Sequence, residues 1–300
     1  MTREVLKEPI FAEEIVEIIR SNLTAAELVE LLEDFHDNDI AQSLELLERD
    51  ERIKLYRILG SGWISEIFSY IDEPERYVDE MGIETLAEII NEMDSDDAVD
   101  LLEKLDKDTV VALRPFFTET VKADIKLITS YDEDEIGSLI TTKFIRISDG
   151  LSVSQATREM IRQAGDNDNI STIYVNDKEG KFVGAIELQD LITARRSDEL
   201  DSLISTSYPF LRDHDIISEN IERIKDYAED SLPVLNSRNE ILGIITSQDI
   251  IEAVDDELGD DYAKLAGLTS EEDLRETTMK SMKKRLPWLI ALLFLGMGVS

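Results

Sequence analysis

Ser171–Ala194 reads STIYVNDKEGKFVGAIELQDLITA, and Asp230–Ala253 reads DSLPVLNSRNEILGIITSQDIIEA. The two stretches start 59 residues apart, and at that offset Val175, Gly184, Ile186, Gln189, Asp190, Ile192 and Ala194 meet Val234, Gly243, Ile245, Gln248, Asp249, Ile251 and Ala253. Each copy holds a short β-branched run, a turn, a second apolar run and the opening of a helix. The glycines are expected where a tight turn feeds a strand, and the aspartates where a strand hands over to a helix. Two β-β-α copies pack together, because each alone leaves one face of its sheet uncovered. An α/β pair is therefore expected from about residue 134, with KFIRIS (Lys143–Ser148) as an additional strand.

Upstream the periodicity changes. LTAAELVELLEDF, NDIAQSLELLER, ETLAEIINEM and SDDAVDLLEKL, between Leu23 and Leu105, place apolar residues at three- and four-residue steps. Several open on Asp, Ser, Thr or Asn, which suit a helix N-cap. Short helices with acidic outer faces predict an all-α solenoid over residues 1–133. Downstream, LTSEEDLRETTMKSMKKR (Leu268–Arg285) pairs Ser270 with Asp273 as in a capping box and carries acids first and bases last. That polarity suits the helix dipole and predicts one connecting helix over 264–285. RLPWLIALLFLGMGVS then turns apolar at Leu286. Trp288 and the preceding lysines and arginine favour the start of a membrane span with a cytoplasmic flank, about 15 residues against the roughly 20 a crossing needs, with a buried terminal helix as the other reading.

Composition narrows the chemistry. Across 300 residues, 31 basic and 67 acidic side chains leave a net charge of −36. Such a surface repels nucleic acid and anionic headgroups, and it suits cations. There is no cysteine, which removes disulfides, thiol catalysis and thiolate metal sites. The first residues are too acidic and too broken for a signal peptide. His36 and His214 have no nucleophile motif near them, and no phosphate loop, G-x-S-x-G or His-Glu-x-x-His is present, so no enzyme is expected.

The acids concentrate in SQDIIEAVDDELGDD (Ser247–Asp261), with seven carboxylates and no lysine or arginine. On a helical wheel Asp249, Glu252, Asp256 and Asp260 share one side with Glu257 adjacent, while Ile250, Ile251, Val254 and Leu258 face the core. Two carboxylates in contact repel by about 1 kcal/mol even in water. A bound divalent cation relieves this, and oxygen-only donors select a hard ion, Mg²⁺ or Ca²⁺, though no EF-hand pattern is present. A solvated face on an acidic protein is the other reading. Asp96 and Asp100 form a second acidic pair, one turn apart in the solenoid.

A helical solenoid, a paired β-β-α repeat, a connector and a membrane start resemble, in that order, the MgtE family of magnesium channels and transporters. GAIELQD and GIITSQD look like the two halves of a CBS-domain pair, and IGSLITTKFIRIS resembles the entry into the first. The resemblance implies an N-type solenoid over 1–133, CBS units over 134–200 and 201–263, a connecting ("plug") helix over 264–285 and the first transmembrane helix from 286. It implies a homodimer in the cell (inner) membrane, joined to it through a C-terminal pore domain, with this region on the cytoplasmic side. Mg²⁺ bridging acidic faces would hold the closed state, and its loss would let the carboxylates repel and the pore open. By motif position Asp249 matches the bridging aspartate of the second CBS unit. Glu252, Glu257, Asp260 and Asp261 match acids of its exit helix, Asp96 and Asp100 the solenoid pair, and Glu66 a solenoid glutamate. Ala228, Ile216 and Ser218 stand where that family carries acids. The resemblance also implies an adenosine nucleotide, ATP, with Asp190 at the ribose position, although Gln189 and Thr172 replace the usual arginine and aromatic. A nucleotide-sensing CBS regulator of a partner protein is the alternative reading.

Overall fold

The computed structural model describes residues 11–254 apart from 72, 166, 168 and 228. The connecting helix, the apolar run from Leu286 and the acids Glu257, Asp260 and Asp261 lie outside the described residues. Among the described residues no helix is long and apolar enough to cross a membrane. The chain divides into two compact units, one made of the residues up to 132 plus 140–143, the other of 133–139 and the residues from 144 on.

The first unit is all helical. Helix α1 (Phe11–Arg20) buries Ala12, Ile15, Val16 and Ile19, one stripe at three- and four-residue steps. Thr24 caps α2 (Ala25–Leu32) in a capping box with Glu27, as its S/T-x-x-E spacing requires. His36 caps α3 (Asp37–Leu44), its Nδ1 accepting the Asn38 N–H at 3.1 Å. Helix α4 (Arg49–Phe68) is interrupted at Gly60, whose φ of 80° no other residue adopts as cheaply. Then follow α5 (Glu75–Val78), α6 (Ile83–Glu92), α7 (Ser95–Lys104), α8 (Lys107–Leu113) and α9 (Glu119–Ile128). Packing runs from α1 to α3, α3 to α4, α4 to α6, α6 to α8, and α7 to α9. This serial stacking is the solenoid expected from the periodicity. Leu32, Ile40, Leu44, Ile64, Ile67, Phe68, Ile89 and Leu113 belong to one continuous core.

A buried polar clamp crosses that core. Arg52 reaches the Glu80 carboxylate, the Leu44 and Leu47 carbonyls, and the face of the Tyr77 ring 5.1 Å away. Segment 140–143 packs with this unit. Thr142 donates its N–H to Ser95 Oγ at 3.3 Å, the two hydroxyls lie 3.1 Å apart, and both hydrogen-bond the Asp124 carboxyl.

The second unit repeats itself. Strands β1 (Phe144–Ser148), β2 (Asn169–Asn176) and β3 (Phe182–Glu187) form one sheet in that order, with α10 (Val153–Gln163) crossing from β1 to β2 and α11 (Leu188–Thr193) following β3. Strands β4 (Leu211–Arg212), β5 (Ser231–Leu235) and β6 (Ile241–Thr246) form the other, with α12 (Ile217–Tyr227) as the crossover and residues 247–254 helical. In both, the first pair is parallel and the second antiparallel. The register repeats too: Val175 pairs with Gly184 and Val234 with Gly243. The halves meet through Tyr174, buried at 0% exposure, whose hydroxyl lies 2.7 Å from Ser231 Oγ; Tyr208 donates to the Ser231 carbonyl at 2.9 Å.

Two expectations change. Gly184 lies inside β3, not at a turn, and a Cβ there would stand 2.4 Å from the Ser205 carbonyl oxygen. The glycine serves a close backbone approach. The tight turns instead place Gly180 (φ 85°) and Asn239 (φ 62°) at equivalent positions, the two residue types that tolerate left-handed backbone. Ile251, assigned to the core by the wheel, is 61% exposed, and its repeat partner Ile192 is 66% exposed.

Candidate metal and nucleotide sites

In the helical unit the candidate acids sit on two helices. Glu66 is half-buried on the second half of α4. Asp96 and Asp100 are on α7, where the four-residue spacing separates them in environment: Asp96 is buried and Asp100 exposed. Asp96 stands in the first turn of α7, where the N–H ends of the helix favour a negative charge.

In the other unit Asp249 is half-buried in the first turn of the helix that follows β6. Its Oδ2 accepts the Thr246 N–H at 2.7 Å and the Thr246 hydroxyl at 2.8 Å, while Asp249 N donates to Thr246 Oγ1 at 3.3 Å. This is a capping box that starts the helix over 247–254. The T-x-x-D spelling of Thr246–Asp249 carries that signal in the sequence, and Thr246 is a site residue that charge counting overlooks. Glu252 is exposed and accepts from Gln248 Nε2 at 3.2 Å.

The first repeat differs. Its cap position is Glu187, which makes no side-chain cap bond, so Asp190 in the first turn of α11 has no Thr246-like partner and is exposed. Nearby, Thr172 is buried on β2 opposite Glu187. Burial raises the Tyr208 hydroxyl to about 12, and it stays protonated and a donor at neutral pH.

Among the described residues no three carboxylates or histidines converge closely enough to hold an ion by themselves. The donor chemistry nevertheless fits one ion class. Asp96, Asp100, Asp249 and Glu252 offer only hard oxygen. Mg²⁺ keeps most of its water and binds through one or two carboxylates, so it does not require a closed protein cage.

Comparison with known proteins agrees with this architecture. The MgtE intracellular N domain matches residues 35–134, and the CBS domain matches twice, at 136–197 and 200–256. The magnesium transporter MgtE of Thermus thermophilus is 27% identical over 282 residues, covering 91% of this chain and 62% of that protein. The soluble part of a magnesium transporter superposes with a TM-score of 0.75 at 28% identity, covering 82% of this chain and 97% of that one. The cytosolic domain of the Mg²⁺ channel MgtE, solved in complex with ATP, gives a TM-score of 0.69 at 26% identity and covers 80% and 99%. The chain spans between 39% and 62% of the length of its curated relatives. With an N domain leading directly into a CBS pair, and the same fold in both solved relatives, this chain belongs to the MgtE family.

Proposed function

We propose that the chain is the cytosolic Mg²⁺-sensing and gating region of an MgtE-type magnesium channel or transporter, acting as a homodimer at the cytoplasmic side of the cell membrane. The single observation that carries this is the uninterrupted succession of the N domain and the paired CBS domains in a chain of charge −36. Asp96, Asp100 and Glu66 from the helices, with Asp249, Glu252, Glu257, Asp260 and Asp261 from the second CBS copy and its exit, supply the regulatory carboxylates. Bound Mg²⁺ offsets their repulsion and holds the closed state. Its loss restores a repulsion that drives the acidic faces apart. The chain's own residues do no bond-making chemistry in this scheme. The transport path belongs to a pore domain joined through the connecting helix and the membrane run.

The test is small-angle X-ray scattering of the chain across a Mg²⁺ titration, with K⁺ holding ionic strength constant. A radius of gyration that falls with Mg²⁺ and not with K⁺ supports bridging. An unchanged radius leaves the acids as a solvated surface.

A second reading is supported by the ATP complex of a relative and by the exposed Asp190: the CBS pair senses an adenosine nucleotide. It expects ATP to bind in the absence of Mg²⁺ and Asp190→Ala to abolish binding.

A further inference from the structure

The first CBS half carries a wide-mouthed cleft of about 1120 Å³ on the side of its hairpin tip, bounded by β1, α10 and the β2–β3 loop. Arg146, Arg158, Arg162 and Lys178 line it, against Glu159, Asp177 and Glu240. The acids are already engaged. Glu159 pairs with Arg162, and Glu240 accepts from Arg238 and Asn236. Asp177 Oδ1 accepts two loop N–H groups, from Glu179 at 2.8 Å and Lys181 at 2.9 Å. Among the described residues neither the Arg146 guanidinium nor the Lys178 ammonium has an ion-pair or hydrogen-bond partner, and Arg158 donates only Nε, to the Ser154 carbonyl at 3.2 Å. Four cations and three carboxylates thus line one cleft, and among the described residues three of those cations have no salt-bridge partner, in a protein whose net charge is −36.

The cleft is built, not incidental. The Gln163 side chain grips the Arg146 main chain on both sides, accepting from its N–H at 3.2 Å and donating to its carbonyl at 2.9 Å. Lys178 stands in a loop fixed by Asp177 and by the left-handed Gly180. The positive charge is also not a property of the repeat. Ile147 pairs with Val175 as Leu211 pairs with Val234, so the counterpart of Arg146 is Phe210, and that of Lys178, 59 residues on, is Ser237. Asn176, at the end of β2, lines the cleft as well.

We propose that this cleft binds a small soluble phosphate ester, its phosphate held by Arg146, Arg158 and Lys178. Guanidinium groups match phosphate in a planar fork, and Leu151 and Ile241 give an apolar floor for the rest of the ligand. A soluble ligand is favoured over a lipid headgroup because the overall charge repels an anionic bilayer. The site is distinct from the Asp190 and Asp249 positions, neither of which lines the cleft.

The experiment is methyl NMR of the whole chain in Mg²⁺-free buffer, titrated with ribose 5-phosphate. Saturable shifts at the Ile147, Leu151 and Ile241 methyls are expected. Arg146→Gln with Arg158→Gln should weaken binding about tenfold or more, since each charged hydrogen bond carries that much. Absence of saturable shifts, or a double variant that binds like the parent, overturns the proposal. So does loss of the signal in Asp190→Ala, which would place the ligand elsewhere. Arginine-dependent pelleting with phosphatidylglycerol vesicles that ribose 5-phosphate does not displace would assign the cleft to lipid instead.

Discussion

Asp249 and Thr246 hold each other in a closed pair: the carboxylate takes the threonine's N–H at 2.7 Å and its hydroxyl at 2.8 Å. The residue proposed to hold Mg²⁺ is therefore also the cap of its own helix. Alanine at Asp249 removes both roles, and a cap of this kind contributes about 1 kcal/mol. Asparagine keeps an acceptor oxygen and drops the charge. In urea unfolding without Mg²⁺, Asp249→Ala should be destabilised by about that amount and Asp249→Asn by less. With Mg²⁺ added, both should lose the ion's stabilisation. If Asp249→Asn gains from Mg²⁺ as the parent does, Asp249 is a cap alone.

Gly184 supplies a second prediction. Alanine there drives a methyl to 2.4 Å from the Ser205 carbonyl oxygen, and both partners are backbone held by pairing of Ala185 with Ser205. The strand must shift, at a cost of about 1–3 kcal/mol. Gly180→Ala has open space around its new methyl and only the left-handed backbone to pay for, about 1 kcal/mol. Thermal unfolding should rank them in that order. The opposite ranking would mean that the β3 contact relaxes easily.

These two glycines show where sequence reading succeeds and stops. The 59-residue repeat was visible because both copies spend the same residue types on the same register, Val175 on Gly184 and Val234 on Gly243. What passes over Gly184 was not visible, since Ser205 lies 21 positions away in a stretch with no pattern of its own. Helix α2 announced itself by period and cap, and α6 and α7 by period alone, since neither has a side-chain cap bond; across the break at Gly60 the two halves of α4 share no single apolar stripe. Strand β4 has two residues, too few to alternate. For the candidate site, the acid count singled out Asp96, Asp100 and Asp249, but a wheel records direction and not depth. It therefore missed that Asp96 is buried, Asp100 exposed and Ile251 turned to solvent.

The Arg52–Glu80 clamp is the element of the helical unit whose loss should cost most. Their side chains are 15% and 7% exposed, and Arg52 also serves two carbonyls that end α3 and its following turn. Arg52→Ala strands the Glu80 charge in the core, which typically costs about 3–5 kcal/mol. Arg52→Ala with Glu80→Ala removes the stranded charge and should cost less than the sum of the single variants. Additivity in denaturant unfolding would show that the pair is not coupled.

Asp124 predicts a pH dependence. Burial raises its carboxyl above the ordinary value of 3.8, against hydrogen bonds from Thr142 and Ser95 and the charge of Lys143, which lower it. The folded state therefore holds this proton more tightly than the unfolded chain does. Its contribution is fully present below the unfolded value and is lost as pH rises through the folded one. Asp124→Asn keeps an acceptor for both hydroxyls and cannot ionise. The stability of the variant relative to the parent should grow as pH rises from about 3.8 and then level off. A difference that stays flat with pH would mean the carboxyl is as solvated folded as unfolded.

The sharpest question for the proposed sensor is whether acids of the two units act on the same ion. A ligand that binds only the folded state stabilises it by about 2.7 kcal/mol at one hundred times its dissociation constant. Asp100→Asn and Asp249→Asn each keep an acceptor oxygen and delete one charge. If one Mg²⁺ needs both carboxylates, either substitution removes its stabilisation and the double variant loses nothing more. The coupling in a double-mutant cycle should then be about 0.5–3 kcal/mol, and it should vanish when K⁺ replaces Mg²⁺ at matched ionic strength. Additive effects in Mg²⁺ would mean that the two carboxylates serve separate ions or a diffuse cloud of counter-ions. Regulation would then rest on screening of the whole −36 surface, since no single bridge would link those two residues.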